Sequence, residues 1–291
     1  LTEADLEAQR LIVGGLTTAF PDLPIVGEED ESLAGETLPE IQPDLKKVDF
    51  KTPPSFENAV WSDFCAVVDP LDGTKQFCLS KFFAVSVLIG VTFKGQPAIG
   101  VIYEPWRVCD DGSQGLTTWD VVGMERKGPD HVWWPEKKQK KIEGERESLV
   151  IAVGDKPMKA VLGNIVNLLK EKREEGEGER GEKVIHVGAT GHKLAKICRG
   201  EANCYLQDPN ACCRWDICAG EAIFRARGGF LGDLNGKIYK YDPNPSANHE
   251  NDGGVLALSY PSEHLEHVLG VTKNNFDECD VIKHTNGEPI T

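Results

Sequence analysis

The chain has 291 residues, 40% of them hydrophobic and 27% charged, which gives room for one large domain or two ordinary ones with a real core and excludes wholesale disorder. Against 32 Lys and Arg stand 47 Asp and Glu, a formal charge of −15, so a general affinity for nucleic acid or for an anionic membrane is excluded as well. An anionic substrate would need something local to reverse that field.

From Asp5 the apolar residues Leu6, Leu11, Ile12 and Leu16 recur at three- to five-residue spacings, which predicts an amphipathic helix ending near Gly14-Gly15 or Phe20-Pro21. The chain opens on Leu1, directly before this helix, so a native segment upstream is expected to be missing. Residues 31–58 are polar, acidic and Pro-containing without a period and read as a long loop, of a length suited to a lid or insertion. Three β-rich runs follow at 64–69, 84–93 and 98–103, the last two joined by Lys94-Gly-Gln-Pro as an antiparallel hairpin. Residues 126–147 are charged and poor in apolar side chains, and they mark the expected seam between two lobes, 1–135 and 148–291. Trp133-Trp134 within that stretch read as packing one loop onto the body.

Beyond the seam a strand is predicted over 149–153, a helix over 158–169, and a solvated acidic loop over 170–183. Then come a strand at 184–187, a helix near 193–198, a strand at 202–206 and a helix over about 217–226, ended by Gly228-Gly229. This order suggests α/β layering in the second half. No apolar run approaches the roughly 18 residues of a membrane helix, and Leu1-Thr-Glu-Ala-Asp is unlike a signal peptide. The nine cysteines, an odd number in scattered contexts, fit reduced thiols in the cytoplasm; Cys204, Cys212, Cys213 and Cys218 lack the paired spacing of a zinc site.

Three acidic clusters sit at the edges of apolar elements: Gly27-Glu28-Glu29-Asp30, Asp69-Pro70-Leu71-Asp72-Gly73-Thr74, and Trp215-Asp216. Hard divalent cations take oxygen ligands, and carboxylates emerging at strand ends can converge on one. In the second cluster Pro70 is expected to stop the strand, so that Asp69, the Leu71 carbonyl and Asp72 bracket a cation. The Gly73 and Thr74 N–H groups would then meet a phosphate. Each cluster alone has a plainer reading: a solvated loop, a turn, and a helix cap, respectively.

In this order, the segments resemble the lithium-sensitive, magnesium-dependent phosphatase superfamily of inositol monophosphatase, fructose-1,6-bisphosphatase and 3'(2'),5'-bisphosphate nucleotidase. The pattern carrying the resemblance is Asp5 in an N-terminal helix, Glu28-Glu29, Asp69-Pro-Leu-Asp-Gly-Thr74 and Trp215-Asp216 opening a helix, and it extends from residue 1 to about 260. The resemblance implies an α+β fold in αβαβα layers, an N-terminal α+β lobe and a C-terminal α/β lobe with the site between them. It implies two or three Mg²⁺ held by Glu28, Asp69, the Leu71 carbonyl, Asp72 and Asp216, with Glu29 at an outer position and Li⁺ as an inhibitor. It also implies Asp5 and Thr74 as the pair that activates water, and Gly73, Thr74, Lys193 and Asp216 as substrate contacts. No covalent phosphoenzyme is expected. The cations answer the charge problem, because an acidic site binds them first and they then bind phosphate.

Val187-Gly-Ala-Thr-Gly-His-Lys193 resembles the Gly-Ala-Gly-x-Lys stretch of the bisphosphate-hydrolysing branches, where the Lys faces a second phosphate. The form Asp69–Thr74 followed by Lys75-Gln76-Phe77 favours the nucleotidase branch, and hence adenosine 3',5'-bisphosphate (PAP) as a small-molecule substrate of a monomeric enzyme. Two departures keep inositol 1,4-bisphosphate open. The strand reading Ile151-Ala-Val-Gly-Asp155-Lys156 stands where nucleotidases carry a Ser-Arg-Ser-His stretch, so a nucleotide-contacting His is missing there, and the 248–258 tail is closer to inositol polyphosphate 1-phosphatases. A catalytically inactive binder of phosphorylated ligands is the third possibility, disfavoured by the complete carboxylate set. His192 is read as a surface or satisfied residue, and Arg225 and Arg227 as partners of a helix dipole.

Overall fold

The computed structural model describes residues 1–29, 37–40, 51–124, 149–171, 183–259 and 267–273. The predicted 170–183 loop and 126–147 seam, with Trp133-Trp134, lie almost wholly outside these residues, as does most of the 31–58 loop.

Helix α1 (Glu3–Ala19) is longer than its periodicity suggested because Thr2 and Asp5 close its first turn: Asp5 Oδ2 accepts from Thr2 N and Thr2 Oγ1 at 2.5 Å each. Strand β1 (Ile25–Gly27) then pairs in parallel with β2 (Phe64–Asp72). After the short helix α2 (Thr74–Cys78), β3 (Ser86–Phe93), β4 (Gln96–Val108) and β5 (Gln114–Val121) complete an antiparallel run, giving a first sheet in the order β1-β2-β3-β4-β5. The β3–β4 hairpin turns on two residues, Lys94 and Gly95, with φ of +52° and +74°. The sequence did not announce β5; its polar run is ordered by pairing with β4.

In the second half, β6 (Val150–Val153), α3 (Ala160–Glu171), β7 (Lys183–His186), α4 (Thr190–Cys198), β8 (Cys204–Gln207), α5 (Arg214–Ala226), β9 (Phe230–Gly232) and β10 (Val255–Leu258) follow in chain order. Their strands form a mixed second sheet in the order β7-β6-β8-β10-β9. Alternation along β8 and β10 assigns its two faces. Tyr205, Val255 and Ala257 join the central core, whereas Cys204, Leu206, Leu256 and Leu258 pack with Leu162, Ile165 and Leu169 of α3 in an outer one. The layers are therefore α1, first sheet, α4 with α5, second sheet, α3, as the resemblance implied.

Helix α5 occupies the middle because the first sheet offers it glycines: a Cβ on Gly90 or Gly100 would collide with Cys218 or the Ala219 carbonyl. Ile217, Ile223 and Phe224 are fully buried there, each contributing about 1.5–3 kcal/mol of apolar burial.

One sequence expectation is corrected. Pro70 does not stop β2, which runs on to Asp72 through an irregularity in its register with β3. Asp69 faces Leu88 and Asp72 faces Ser86, so two residues of β2 oppose one of β3, and the extra residue absorbs a proline that cannot donate to a ladder. The bulge has a chemical consequence. Residues three apart on a regular strand point to opposite faces, whereas here Asp69 and Asp72 both lie opposite residues of the buried face of β3.

Candidate metal centre and active site

Three elements bring the acidic residues together. Asp69 and Asp72 come from the bulged end of β2, and Asp216 from the first turn of α5, where its Oδ2 accepts Cys213 N at 2.5 Å. One ligand oxygen from each lies within 4.8 Å of the others. Glu28 directly follows β1, its N–H donating to Val68 O at 3.0 Å, which brings its carboxyl beside that of Asp69. Glu29 is largely buried, and burial together with the Asp5 charge raises it above its ordinary range.

Asp72 is held by a cradle that sequence reasoning missed. Its Oδ1 accepts Thr190 N at 3.0 Å; its Oδ2 accepts Gly191 N at 2.7 Å and Ser86 Oγ at 3.0 Å. The N-terminus of α4 thus supplies two otherwise orphaned N–H groups to a carboxylate more than a hundred residues upstream. The available signal was Gly191, where a Cβ would collide with Ser86 Oγ and crowd Asp72 Oδ2. Ala189, just before α4, has φ +64°, a backbone strain of the kind that collects at functional sites.

Beyond Asp72 the chain turns through Gly73, whose φ of +96° requires glycine, and enters α2 at Thr74. Thr74 Oγ1 donates to Asp5 Oδ1 at 2.8 Å and lies 3.4 Å from the Leu71 carbonyl. The predicted pair of Asp5 and Thr74 therefore meets at the edge of the carboxylate cluster. Lys193 is only 3% exposed. Its Nζ donates to Val187 O at 3.4 Å and sits 5.0 Å from the centre of the Tyr205 ring. Asp155, at the end of β6, pairs with Lys75 Nζ and accepts Gln76 Nε2, both at 3.2 Å, tying the second sheet to α2 beside the site. His192, read from the sequence as a surface or satisfied residue, is instead buried, its Nδ1 3.6 Å from Glu104 Oε1 and without a hydrogen-bond partner among the described residues.

The electrostatics are those of a cation site. Burial, then repulsion from neighbouring carboxylates, pushes Asp216 up to about 8, and burial chiefly pushes Glu28 up to about 7. Asp69 is driven well above the ordinary carboxylate range by burial and by Asp72, Glu28 and Asp216. Asp69 Oδ1 accepts Leu71 N at 3.0 Å, while its buried Oδ2 receives no N–H or hydroxyl donor. Unsatisfied anionic oxygen, and a donor set made only of oxygen, fit a hard divalent cation such as Mg²⁺.

These raised values fix a pH dependence. In the metal-free protein, Glu28 and Asp216 hold protons more tightly folded than unfolded, so their stabilising contribution is full below about pH 4 and is lost as the pH rises through about 7 to 8, and Asp69 is shifted in the same direction. A bound divalent cation replaces those protons. Differential scanning calorimetry is expected to show a larger Mg²⁺-induced rise in Tm at pH 8 than at pH 5.5; a shift independent of pH would contradict the assignment.

The layered fold is shared with proteins of known structure. Inositol monophosphatase II from Staphylococcus aureus superposes with a TM-score of 0.61 at 15% identity, over 98% of this chain and 87% of that one. SaIMPase-II with bound 2'AMP does so at 0.60 and 17% identity, over 97% and 87%. The chain belongs to the inositol monophosphatase family, whose model matches residues 1–274. It is 30% identical over 287 residues to 3'(2'),5'-bisphosphate nucleotidase 1 of Dictyostelium discoideum, spanning 91% of this chain and 84% of the relative. It is a hydrolase of the phosphatase type. Among the described residues no helix is long and apolar enough to cross a membrane.

Proposed function

We propose that this chain hydrolyses the 3'-phosphate of adenosine 3',5'-bisphosphate, with water as the nucleophile and AMP and inorganic phosphate as products. The observation that carries the proposal is the hydrogen bond from Thr74 to Asp5, 2.8 Å long, beside a cluster of carboxylates able to hold cations. Glu28, Asp69, the Leu71 carbonyl, Asp72 and Asp216 would hold two or three Mg²⁺, with Glu29 outside them. Bound Mg²⁺ supplies Lewis-acid stabilisation to the attacking and leaving oxygens and neutralises the phosphate.

The remaining work belongs to the chain. The Thr74 hydroxyl donates its hydrogen bond to Asp5 and turns an oxygen lone pair to water; as the water proton passes to Thr74 Oγ1, the Thr74 proton passes to the Asp5 carboxylate. The Gly73 and Thr74 N–H groups orient the phosphate being cleaved, and Asp216 is a further substrate contact. Lys193, with three ammonium donors and one directed at Val187 O, meets the second phosphate. Li⁺ inhibits by competing for the carboxylate centre. The odd number of scattered cysteines suits a reducing compartment, and we assign the enzyme to the cytoplasm as a monomer.

The similarity to a relative named 3'(2'),5'-bisphosphate nucleotidase 1 supports the nucleotide. Asp155, in place of a nucleotide-contacting His and held by Lys75 and Gln76, favours inositol 1,4-bisphosphate as the second reading. Phosphate release from the two compounds side by side, with Mg²⁺ and with or without Li⁺, separates them. A clear preference for PAP is expected; preference for the inositide would overturn the substrate, and release from neither would overturn the activity. Lys193→Met is expected to raise KM about tenfold or more for the bisphosphate and far less for a monophosphate. Equal effects on both would place Lys193 outside the pocket.

A further inference from the structure

Glu104 has no part in the chemistry described, yet it is one of the best-buried carboxylates in the molecule, 2% exposed on the inner face of β4. Its two oxygens face two residues of the same helix. Oε1 lies 3.6 Å from His192 Nδ1 in the first turn of α4, and Oε2 accepts Arg199 Nη1 at the helix's C-cap. Residues 192 and 199 are seven apart, two helical turns, and so share one face of α4. Phe83 stacks edge-on against the His192 ring at 6.0 Å, and Glu201 fixes Arg199 from its other side at 2.6 Å.

The same helix supplies the cradle of Asp72 through Thr190 N and Gly191 N, and it carries Lys193. Asp72 and Glu104 both stand on the first sheet, on β2 and β4, so α4 is fastened to that sheet at two places: by its N–H groups at Asp72 and by its side chains at Glu104. Hydrogen bonds of 2.7–3.0 Å tolerate little displacement. Sliding α4 by one residue's rise, about 1.5 Å, would break both bonds to Asp72 and move Lys193 as well.

We infer that Glu104 is a positioning residue for the metal centre: through its ion pair with Arg199 and its close approach to His192 it sets the axial position of α4, and hence the orientation of the Asp72 carboxylate and of Lys193. The inference rests on the assignment of Asp72 as a cation ligand. Outer partners that orient a ligand commonly change metal affinity by 10- to 100-fold. Glu104 is also suited to the role by its charge: burial opposes ionisation, but His192 and Arg199 outweigh it and hold the carboxyl below its ordinary range. A neutral amide of the same shape keeps one contact and loses the ionic grip.

The test is calorimetric titration of the metal-free protein with Mn²⁺, together with kcat and KM at saturating Mg²⁺. Glu104→Gln and His192→Gln are compared with Asp120→Asn, which removes a buried partner of Arg227 (3.0 Å) on β5 and leaves both Glu104 contacts to His192 and Arg199 in place. About tenfold weaker Mn²⁺ binding in Glu104→Gln, a smaller loss in His192→Gln, a lowered kcat and wild-type binding in Asp120→Asn are expected. Wild-type Mn²⁺ affinity in both variants, or an equal loss in Asp120→Asn, would overturn the inference, as would failure of both variants to fold with wild-type circular dichroism. Asp72→Asn separates the inference from its premise: unchanged Mn²⁺ binding there would remove Asp72 from the ligand set, whereas lost binding there with intact binding in Glu104→Gln would remove Glu104 alone.

Discussion

Asp69→Asn is expected to lower kcat by at least a hundredfold or so while raising the melting temperature of the metal-free protein. The two effects share one cause. Asp69 is a buried carboxylate crowded by Asp72, Glu28 and Asp216, one of its oxygens without a protein donor, and in the absence of cations that arrangement is destabilising above neutral pH. An asparagine keeps Oδ1 for the Leu71 N–H and turns an amide donor toward the neighbouring carboxylates. Relief of 1 kcal/mol shifts Tm by roughly 2–4 °C in a chain somewhat smaller than this one, so a rise of a few degrees should be visible at pH 8. The neutral amide is a poor ligand for Mg²⁺, and the loss of activity follows. A variant that keeps most activity, or whose metal-free form melts lower than wild type, would contradict the role given to Asp69.

Thr74→Ala should reduce kcat by about 10²- to 10⁴-fold, the usual contribution of positioned proton transfer, with KM for the phosphorylated substrate little changed. Thr74→Ser keeps the hydroxyl that donates to Asp5 and should retain most of the rate. Asp5→Asn should fall with Thr74→Ala, and the double variant should be no worse than the poorer single one, because the two residues act as a unit. Steady-state kinetics on the four variants decides it. Additive losses would mean that Asp5 and Thr74 work separately, leaving Asp5 with its other visible task of closing the first turn of α1.

How the ligands meet was less legible in the sequence than which residues they are. Asp69 and Asp72 stand out by residue type and by their place at the end of an apolar run, but a proline between them reads as a stop. Only pairing with β3 turns Pro70 into a bulge that brings both carboxylates to one face. Asp216 could be located from Trp215-Asp216, yet α5 starts at Arg214, before the apolar period begins, because the Asp216 side chain itself closes the first turn on Cys213. The Thr190 and Gly191 cradle was hard to foresee for a different reason: its N–H groups belong to the backbone, Gly191 is its one trace among the residue types, and Asp72 is brought to them by the tertiary fold. Lys193 was singled out for charge, and the structure adds that this charge is buried beside Tyr205. Strand β5, rich in Thr, Gly and Gln, becomes a strand through its neighbour β4 and so escaped the pattern.

The central claim is that ester hydrolysis runs on water activated at this carboxylate centre. Its most direct measurement is a single turnover of adenosine 3',5'-bisphosphate in ¹⁸O-water by protein stripped of metal with chelator, with and without added Mg²⁺. The account predicts inorganic phosphate carrying one solvent oxygen when Mg²⁺ is restored, no phosphorylated protein at any time, and negligible release without the cation. Undiminished release from the stripped protein, or phosphate trapped covalently on the chain, would contradict it.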